Sequence, residues 1–182
     1  MLDTLPSPVE EFDTLADRYG ISTSYERADV TDQSSLEGAF GRVVEQIGGI
    51  EGCVAAAGIG LDRRVFEQTW EECQRVLAVN VLGTFWTARL AAEHMIKRKK
   101  GGSIVLIASI AAQGIKVPLQ NLAIYNMSKA AVKGLVGPLA VELGEQGVRV
   151  NSVSPGVIES PMTAGMKEQY PELEEMFVSA ST

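Results

Sequence analysis

The sequence predicts an α/β domain with a doubly wound parallel sheet, and two observations carry that reading. Short apolar runs alternate with longer segments of helical period along nearly all of the 182 residues. Runs such as 103-SIVLIA-108 are almost continuously apolar, as in strands buried on both faces. Parallel neighbours need right-handed crossovers, which places helices on both sides of the sheet.

Residues 8–19 predict a helix with Pro8 in its first turn and Gly20 ending it. Residues 23–28 predict a short strand. Asp32 or Ser34 caps a helix running to Ile47 and closed by Gly48-Gly49. Residues 50–57 (IEGCVAAA) form a buried strand ending at Gly58. A long helix covers 69–99, with apolar positions at Val76, Val79, Leu82, Phe85 and Trp86. Residues 103–108 form the next strand, 126–145 a helix and 148–153 a further strand. Pro138 falls inside that helix, so it kinks there or divides in two. The tail 160–182 is polar with scattered helical signal. No linker, repeat or low-complexity tract interrupts the pattern, so a single domain over residues 1–182 is expected.

The net charge of −7 argues against a nucleic-acid partner. The basic run 97-KRKKGG-102 reads as the solvated end of a helix, where cations suit the dipole. Cys53 and Cys73 match no metal or redox spacing. Cys53 reads as core and Cys73 as helix packing. With no apolar run near 18 residues and no signal-peptide pattern, a reduced cytoplasmic setting without membrane contact is expected. His94 is the one histidine, so a His-based triad or a zinc site is not expected.

In such a sheet, ligands bind beyond the carboxyl ends of the strands. The loops there are 56-AAGIG-60, 108-ASIAAQG-114 and 154-SPGVIESPMT-163. Close by, 123-AIYNMSKAAVKGL-135 sets Tyr125 one helical turn before Lys129. A free phenol titrates near 10, and an adjacent ammonium favours the phenolate. The pair reads as a tuned acid–base group or as a surface tyrosine lying over a lysine stem. Ser109 follows a strand directly, placed to hold a substrate oxygen or to make an ordinary turn. Asn80 stands in the apolar 76-VLAVNVLGTF-85, where it serves as a satisfied buried amide or holds a water that relays protons to Lys129.

Together these residues make a recognisable ordered set: 28-ADV-30, 55-AAAG-58, Asn80 in VNVLGTF, Ser109, 125-YNMSK-129 and 149-RVNSVSPGVI-158. The chain resembles a short-chain dehydrogenase/reductase over residues 1–163. The resemblance implies a Rossmann-like fold and hydride transfer between a secondary alcohol or ketone and NAD or NADP. It implies that Tyr125 gives or takes the proton, that Lys129 lowers its pKa and holds the nicotinamide ribose, and that Ser109 orients the carbonyl. Asn80 would anchor the water chain. The expected cofactor contacts are Asp29 and Val30 at the adenine, and Ala57 and Gly58 along a close-packed loop. Pro155, Gly156 and Ile158 would flank the nicotinamide, with Ser160 near the phosphate or carboxamide. Asp3 would accept the adenosine ribose hydroxyls, which leans the cofactor towards NAD.

Three features depart from the family. The loop reads AAAG where asparagines are usual. The stretch between Ser109 and Tyr125 is longer than usual. The opening strand, glycine-rich turn and helix that receive the diphosphate have no counterpart, and the substrate-lid region from about 160 is partial. The resemblance therefore implies a sheet lacking its first strand-helix unit and its C-terminal end, with strand edges left unpaired. The opening stretch and YNMSK resemble fungal polyol and ketose reductases. Two other readings stay open: a non-catalytic remnant acting as an interaction module, and a 3-oxoacyl-carrier reductase, which the acidic charge disfavours. A homodimer or homotetramer through 69–99 and 126–145 is expected.

Overall fold

A computed structural model describes residues 1–8, 10–113, 121–156 and 158. The partial lid expected from about 160, Ser160 included, lies outside the described residues. In order, the elements are β1 (Leu2–Asp3), α1 (Glu10–Tyr19), β2 (Glu26–Arg27), α2 (Gln33–Ile47), β3 (Gly52–Ala55), α3 (Trp70–Leu77), a π-turn (Ala78–Gly83), α4 (Thr84–Lys97), β4 (Gly102–Ile107), a 3-10 turn (Ile110–Gln113), α5 (Ala123–Gly144) and β5 (Val148–Val153).

Local chemistry sets the boundaries. Asp32 caps α2 by accepting from the Ser35 amide, and Gly48 closes it in the left-handed region at φ +78°. Thr69 and Glu72 form a reciprocal capping box at the start of α3. Pro138 is accommodated inside one continuous 22-residue helix, so α5 is not divided.

All pairings are parallel, but the strands form two sheets. β1 pairs with β2, with Leu2 opposite Glu26 and Asp3 opposite Arg27. The second sheet has the order β3-β4-β5, with Val54 opposite Val105 and Val105 opposite Asn151. Helices α2, α4 and α5 pack side by side, and α4 spans all three strands of the larger sheet. The core runs from Leu36 and Phe40 of α2 through Ala88, Ala91 and Met95 of α4 to Ile104, Leu106, Val148 and Val150.

Among the described residues the larger sheet is covered unevenly. Ile104, Leu106, Val148 and Val150 are buried, whereas the alternating Val105 and Ile107 are only partly so and Val153 is exposed. One face is covered among the described residues, and the other carries apolar side chains to the surface. The predicted strands 23–28 and 50–57 also shrink, to two and four residues. Each sits next to an unpaired edge, where the ladder that would extend it has no partner.

The turn into β4 depends on glycine. Gly101 has φ +67°, and a Cβ there would lie 2.3 Å from the Gly147 carbonyl oxygen, a backbone atom that cannot swing aside. Gly101→Ala is expected to destabilise the fold by about 2–4 kcal/mol. Urea unfolding followed by circular dichroism checks this.

The basic run after α4 is not simply solvated. Arg98 closes the helix, and its Nη2 donates to Glu51 Oε1 at 2.7 Å. His94 stacks on Phe40 with ring centroids 6.1 Å apart, and burial lowers its pKa. Both cysteines are free. Burial pushes the Cys53 thiol up to about 11, so it is inert packing.

Candidate functional site

The carboxyl ends of β3 and β4, the π-turn and the first turns of α5 meet at one edge of the larger sheet. Asn80 organises this meeting and is fully buried. Its Oδ1 accepts from the Ile59 amide at 2.8 Å, and its Nδ2 donates to the Ile59 carbonyl at 2.9 Å. The same Nδ2 donates to Ser128 Oγ at 2.9 Å, and Ser128 in turn donates to the Tyr125 carbonyl at 2.7 Å. One amide thus ties the loop after β3, 21 positions before it, to α5, 48 positions after it.

The π-turn makes this possible. One residue more per turn than an α-helix turns Asn80 inward. Thr84 Oγ1 and Thr87 Oγ1 donate back to the carbonyls of Asn80 and Gly83, at 2.8 and 2.7 Å. Periodicity at 3.6 gives no sign of the insertion. The signals that could have found it are Asn80 itself, amid apolar residues, and the nearby Gly83, where a Cβ would fall 2.7 Å from Val30 Cγ2.

Lys129 is buried, and its Nζ donates to the Ile107 carbonyl at 2.8 Å. Burial lowers its pKa. The Nζ lies 5.8 Å from the centroid of the Tyr125 ring. At Gly58, a Cβ would approach Lys129 Nζ to 3.4 Å and Asn80 Oδ1 to 3.5 Å. Gly58 is therefore the floor under both groups, and its missing side chain leaves the ammonium room.

Tyr125 is half-buried. Burial raises its pKa, and a hydrogen bond with the Ser109 side chain opposes that rise. The expected depression by Lys129 is corrected: burial dominates, and the group that favours the phenolate is Ser109. The lysine's ammonium is engaged by the Ile107 carbonyl and lies over the ring, 5.8 Å from its centroid. Ser109 does meet Tyr125 despite the longer intervening stretch. Its Oγ also accepts from the Ala111 amide at 3.1 Å, which fixes the 3-10 turn. Ser109→Ala is expected to raise the pH at which Tyr125 ionises, because the phenolate loses a donor. Ultraviolet difference titration against a Tyr125→Phe reference isolates this phenol from the other three tyrosines.

The remaining predicted residues divide. Asp29 Oδ1 accepts from the Thr31 amide at 2.8 Å and from its hydroxyl at 2.7 Å, and so shapes the turn after β2. Val30 packs against Gly83. Asp3 ends β1 and accepts from the Leu5 amide at 3.1 Å. Asp3, Asp29, Val30, Ala57 and Gly58 all line one cavity. Pro155 reaches the serine loop, since its carbonyl accepts from the Ile110 amide at 3.1 Å. Gly156 and Ile158 are exposed beyond β5.

Sequence reasoning missed Ser128, the bridge between Asn80 and Tyr125. It also missed Asp62, whose Oδ1 accepts from the Asn121 amide at 2.9 Å and side chain at 3.2 Å and pins the loop before α5.

A dinucleotide fits this chain in part. Gly58 leaves space beside the Lys129 ammonium, and the Asp29–Val30 turn lines a cavity that reaches Gly58. The diphosphate lacks a cradle among the described residues. One first-turn amide each of α2 and α3, at Ser35 and Glu72, is taken by the caps Asp32 and Thr69, and neither helix opens with a glycine-rich turn.

A family model described as enoyl-(acyl carrier protein) reductase matches residues 4–182. The trans-4-hydroxycyclohexanecarboxylate dehydrogenase of Sinomonas cyclohexanicum is 37% identical over 145 residues, covering 80% of this chain and 54% of that protein. A short-chain dehydrogenase/reductase of Armillaria gallica is 36% identical, covering 74% of this chain and 51% of its own length. Among solved structures, a short-chain type dehydrogenase/reductase from Mycobacterium marinum superposes with a TM-score of 0.82 at 34% identity, over 90% of this chain and 65% of that one. An NAD+-bound xylitol dehydrogenase gives 0.81 at 30% identity, over 95% and 64%. The chain spans about half to two thirds of the length of these relatives.

Proposed function

The chain belongs to the short-chain dehydrogenase/reductase family, and from that premise we propose that it is an oxidoreductase that interconverts a secondary alcohol and a ketone with a nicotinamide nucleotide. One observation carries the reading: at the carboxyl edge of the sheet the Tyr125 hydroxyl meets Ser109, and the buried Lys129, 5.8 Å from the Tyr125 ring centroid, lies beside Gly58. A bound nicotinamide supplies or accepts the hydride. Everything else falls to the chain's own groups.

In ketone reduction, Tyr125 holds its proton at neutral pH as any phenol does, burial favours that form further, and it gives that proton to the carbonyl oxygen. Ser109 donates to the same oxygen and fixes its direction. When the phenol ionises, Ser109 is the donor already in place. Lys129 presents its remaining N–H groups to the ribose hydroxyls while the Ile107 carbonyl holds it. Asn80 keeps the Ile59 loop against α5, so the floor at Gly58 stays open. Asp29 and Val30 would line the adenine end, Asp3 would meet the adenosine ribose, and Pro155, Gly156 and Ile158 would flank the nicotinamide, while Ser160 lies outside the described residues.

The substrate class we favour is a polyol or ketose. The relatives named for xylitol and for a hydroxycyclohexane acid support a secondary alcohol on a small polar molecule. NAD is favoured over NADP because Asp3, at the end of β1, repels a 2′-phosphate. Self-association through 69–99 and 126–145 is part of the proposal. The test is cofactor oxidation by the chain with NADH or NADPH and a panel of ketoses and cyclic ketones. Ketone-dependent oxidation is expected, with cofactor affinity weaker than micromolar because the described residues lack a diphosphate cradle. Absence of turnover at saturating cofactor would overturn the enzymatic reading and leave the interaction module. Fluorescence enhancement at micromolar NADH would remove the module instead.

A further inference from the structure

Gly83, at the end of the π-turn, meets the turn after β2 at very short range. A Cβ added there would lie 2.7 Å from Val30 Cγ2, 2.9 Å from Val30 Cβ and 3.3 Å from the Val30 carbonyl oxygen. Turning the valine about χ1 moves only its methyl groups, so the approaches to its Cβ and carbonyl stay as they are. Backbone has to move if Gly83 gains a side chain. The φ of Gly83 is −59°, an ordinary helical angle, so what this glycine supplies is room rather than a special turn.

The helix side of the contact is the fixed one. Thr84 and Thr87 donate to the carbonyls of Asn80 and Gly83, and Ala88, Ala91 and Met95 of the same helix are fully buried. Asn80 has both its N–H groups and its oxygen engaged. The Val30 side is tied less firmly to the rest. It follows β2, a two-residue strand that pairs with β1 alone among the described residues. Within itself that turn is closely bonded. The Asp29 amide donates to Ser35 Oγ at 3.1 Å, the Asp29 carbonyl accepts from the Asp32 amide at 3.1 Å, and Asp29 Oδ1 accepts from the Thr31 amide and hydroxyl. A push on Val30 therefore displaces the turn as a unit and is not absorbed inside it. Asp29 and Val30 line the same cavity as Val79 of the π-turn, so such a displacement changes the gap between these two walls.

We infer, resting on the oxidoreductase reading, that Gly83 is a positioning residue for the adenine end of the nicotinamide nucleotide. It touches neither substrate nor cofactor. Its missing side chain sets the seat of Val30, and through Val30 the spacing of the walls between which the adenine lies.

The test titrates adenosine into the full chain and follows the protein by NMR. Adenosine has no phosphate, so it asks nothing of a diphosphate cradle. Saturable shifts at Asp29, Val30 and Val79 are expected. Gly83→Ala is expected to raise the adenosine Kd at least fivefold and to move the Asp29 and Thr31 amide signals, while the Asn80 side-chain amide signals stay in place. A loss of packing spread through the core would move both sets. Val30→Gly removes the two closest approaches, so on that background Gly83→Ala is expected to leave the Asp29 and Thr31 signals where they are. If Gly83→Ala does not fold by itself, recovery of the folded spectrum on adding Val30→Gly supports the inference and failure to recover it overturns it. Equal adenosine affinity with and without the Gly83→Ala change overturns the inference and leaves the oxidoreductase reading standing. Movement of the Asn80 signals in place of those of Asp29 and Thr31 does the same, because the helix would then be the side that yields. No adenosine binding by the unaltered chain overturns the adenine-end assignment itself, and this inference with it.

Discussion

If the proposed reaction holds, Tyr125→Phe is expected to lower the rate of ketone reduction by about 10²–10⁴-fold, the usual contribution of a positioned proton donor. The ring stays, so its contacts in the half-buried site and the Lys129 ammonium beside it are retained, and KM for the ketone changes little. What is lost is the proton that must reach the carbonyl oxygen as the hydride arrives. Steady-state kinetics of both forms check this, and a loss under threefold would place the donor elsewhere. The pH dependence has a definite sign. Burial raises the Tyr125 pKa, so the neutral donor needed for reduction persists through neutral pH and is lost only in alkali. Alcohol oxidation needs the phenolate and rises as pH increases. Ser109→Ala moves both limbs further towards alkali, since it removes the interaction that favours the ionised form.

Asn80→Leu is expected to destabilise the chain by about 3–5 kcal/mol. Leucine keeps the branched outline of four side-chain heavy atoms but has bulkier tips, so overpacking in this fully buried site adds to a loss that is chiefly polar. It leaves the Ile59 amide, the Ile59 carbonyl and the Ser128 hydroxyl without the side chain that serves them at 2.8–2.9 Å. Each such group left unsatisfied in the interior costs about 1–3 kcal/mol. The hydroxyl keeps one bond, to the Tyr125 carbonyl, which holds the total below the full sum. Urea unfolding of the two forms gives the difference, and amide exchange at Ile59 should rise with it. A change under 1 kcal/mol would mean that the loop after β3 is held by other contacts.

Most of the fold was legible in the sequence because its signals were local. The helix over 33–47 starts and stops where Asp32 and Gly48 say it should. The strands over 102–107 and 148–153 agree with their apolar runs to within a residue. The reading failed where the answer depended on neighbours distant in sequence. Val54 looks like core because its strand is apolar, yet its exposure depends on whether another strand lies beside it. Tyr125, Ser109, Lys129 and Asn80 were singled out from spacing and context, as candidates. Their electrostatics were not, because one helical turn of separation does not reveal that the Ile107 carbonyl takes the ammonium and that burial outweighs it at the phenol. Ser128 was hidden because a small hydroxyl inside YNMSK gives no pattern of its own.

The widened turn at Ala78–Gly83 fixes the length of the chain around it. Each residue added to or removed from a helix rotates everything beyond it by about 100°. Removing one residue between 78 and 83 would let the segment relax into an ordinary helix. Either Val76 or the Ala88–Ala91–Met95 stripe would then swing away from the interior. This stretch should therefore accept exchanges of side chain, such as Val for Ile at Val81, far more readily than any deletion. Homologous genes should hold its residue count constant even where its letters drift.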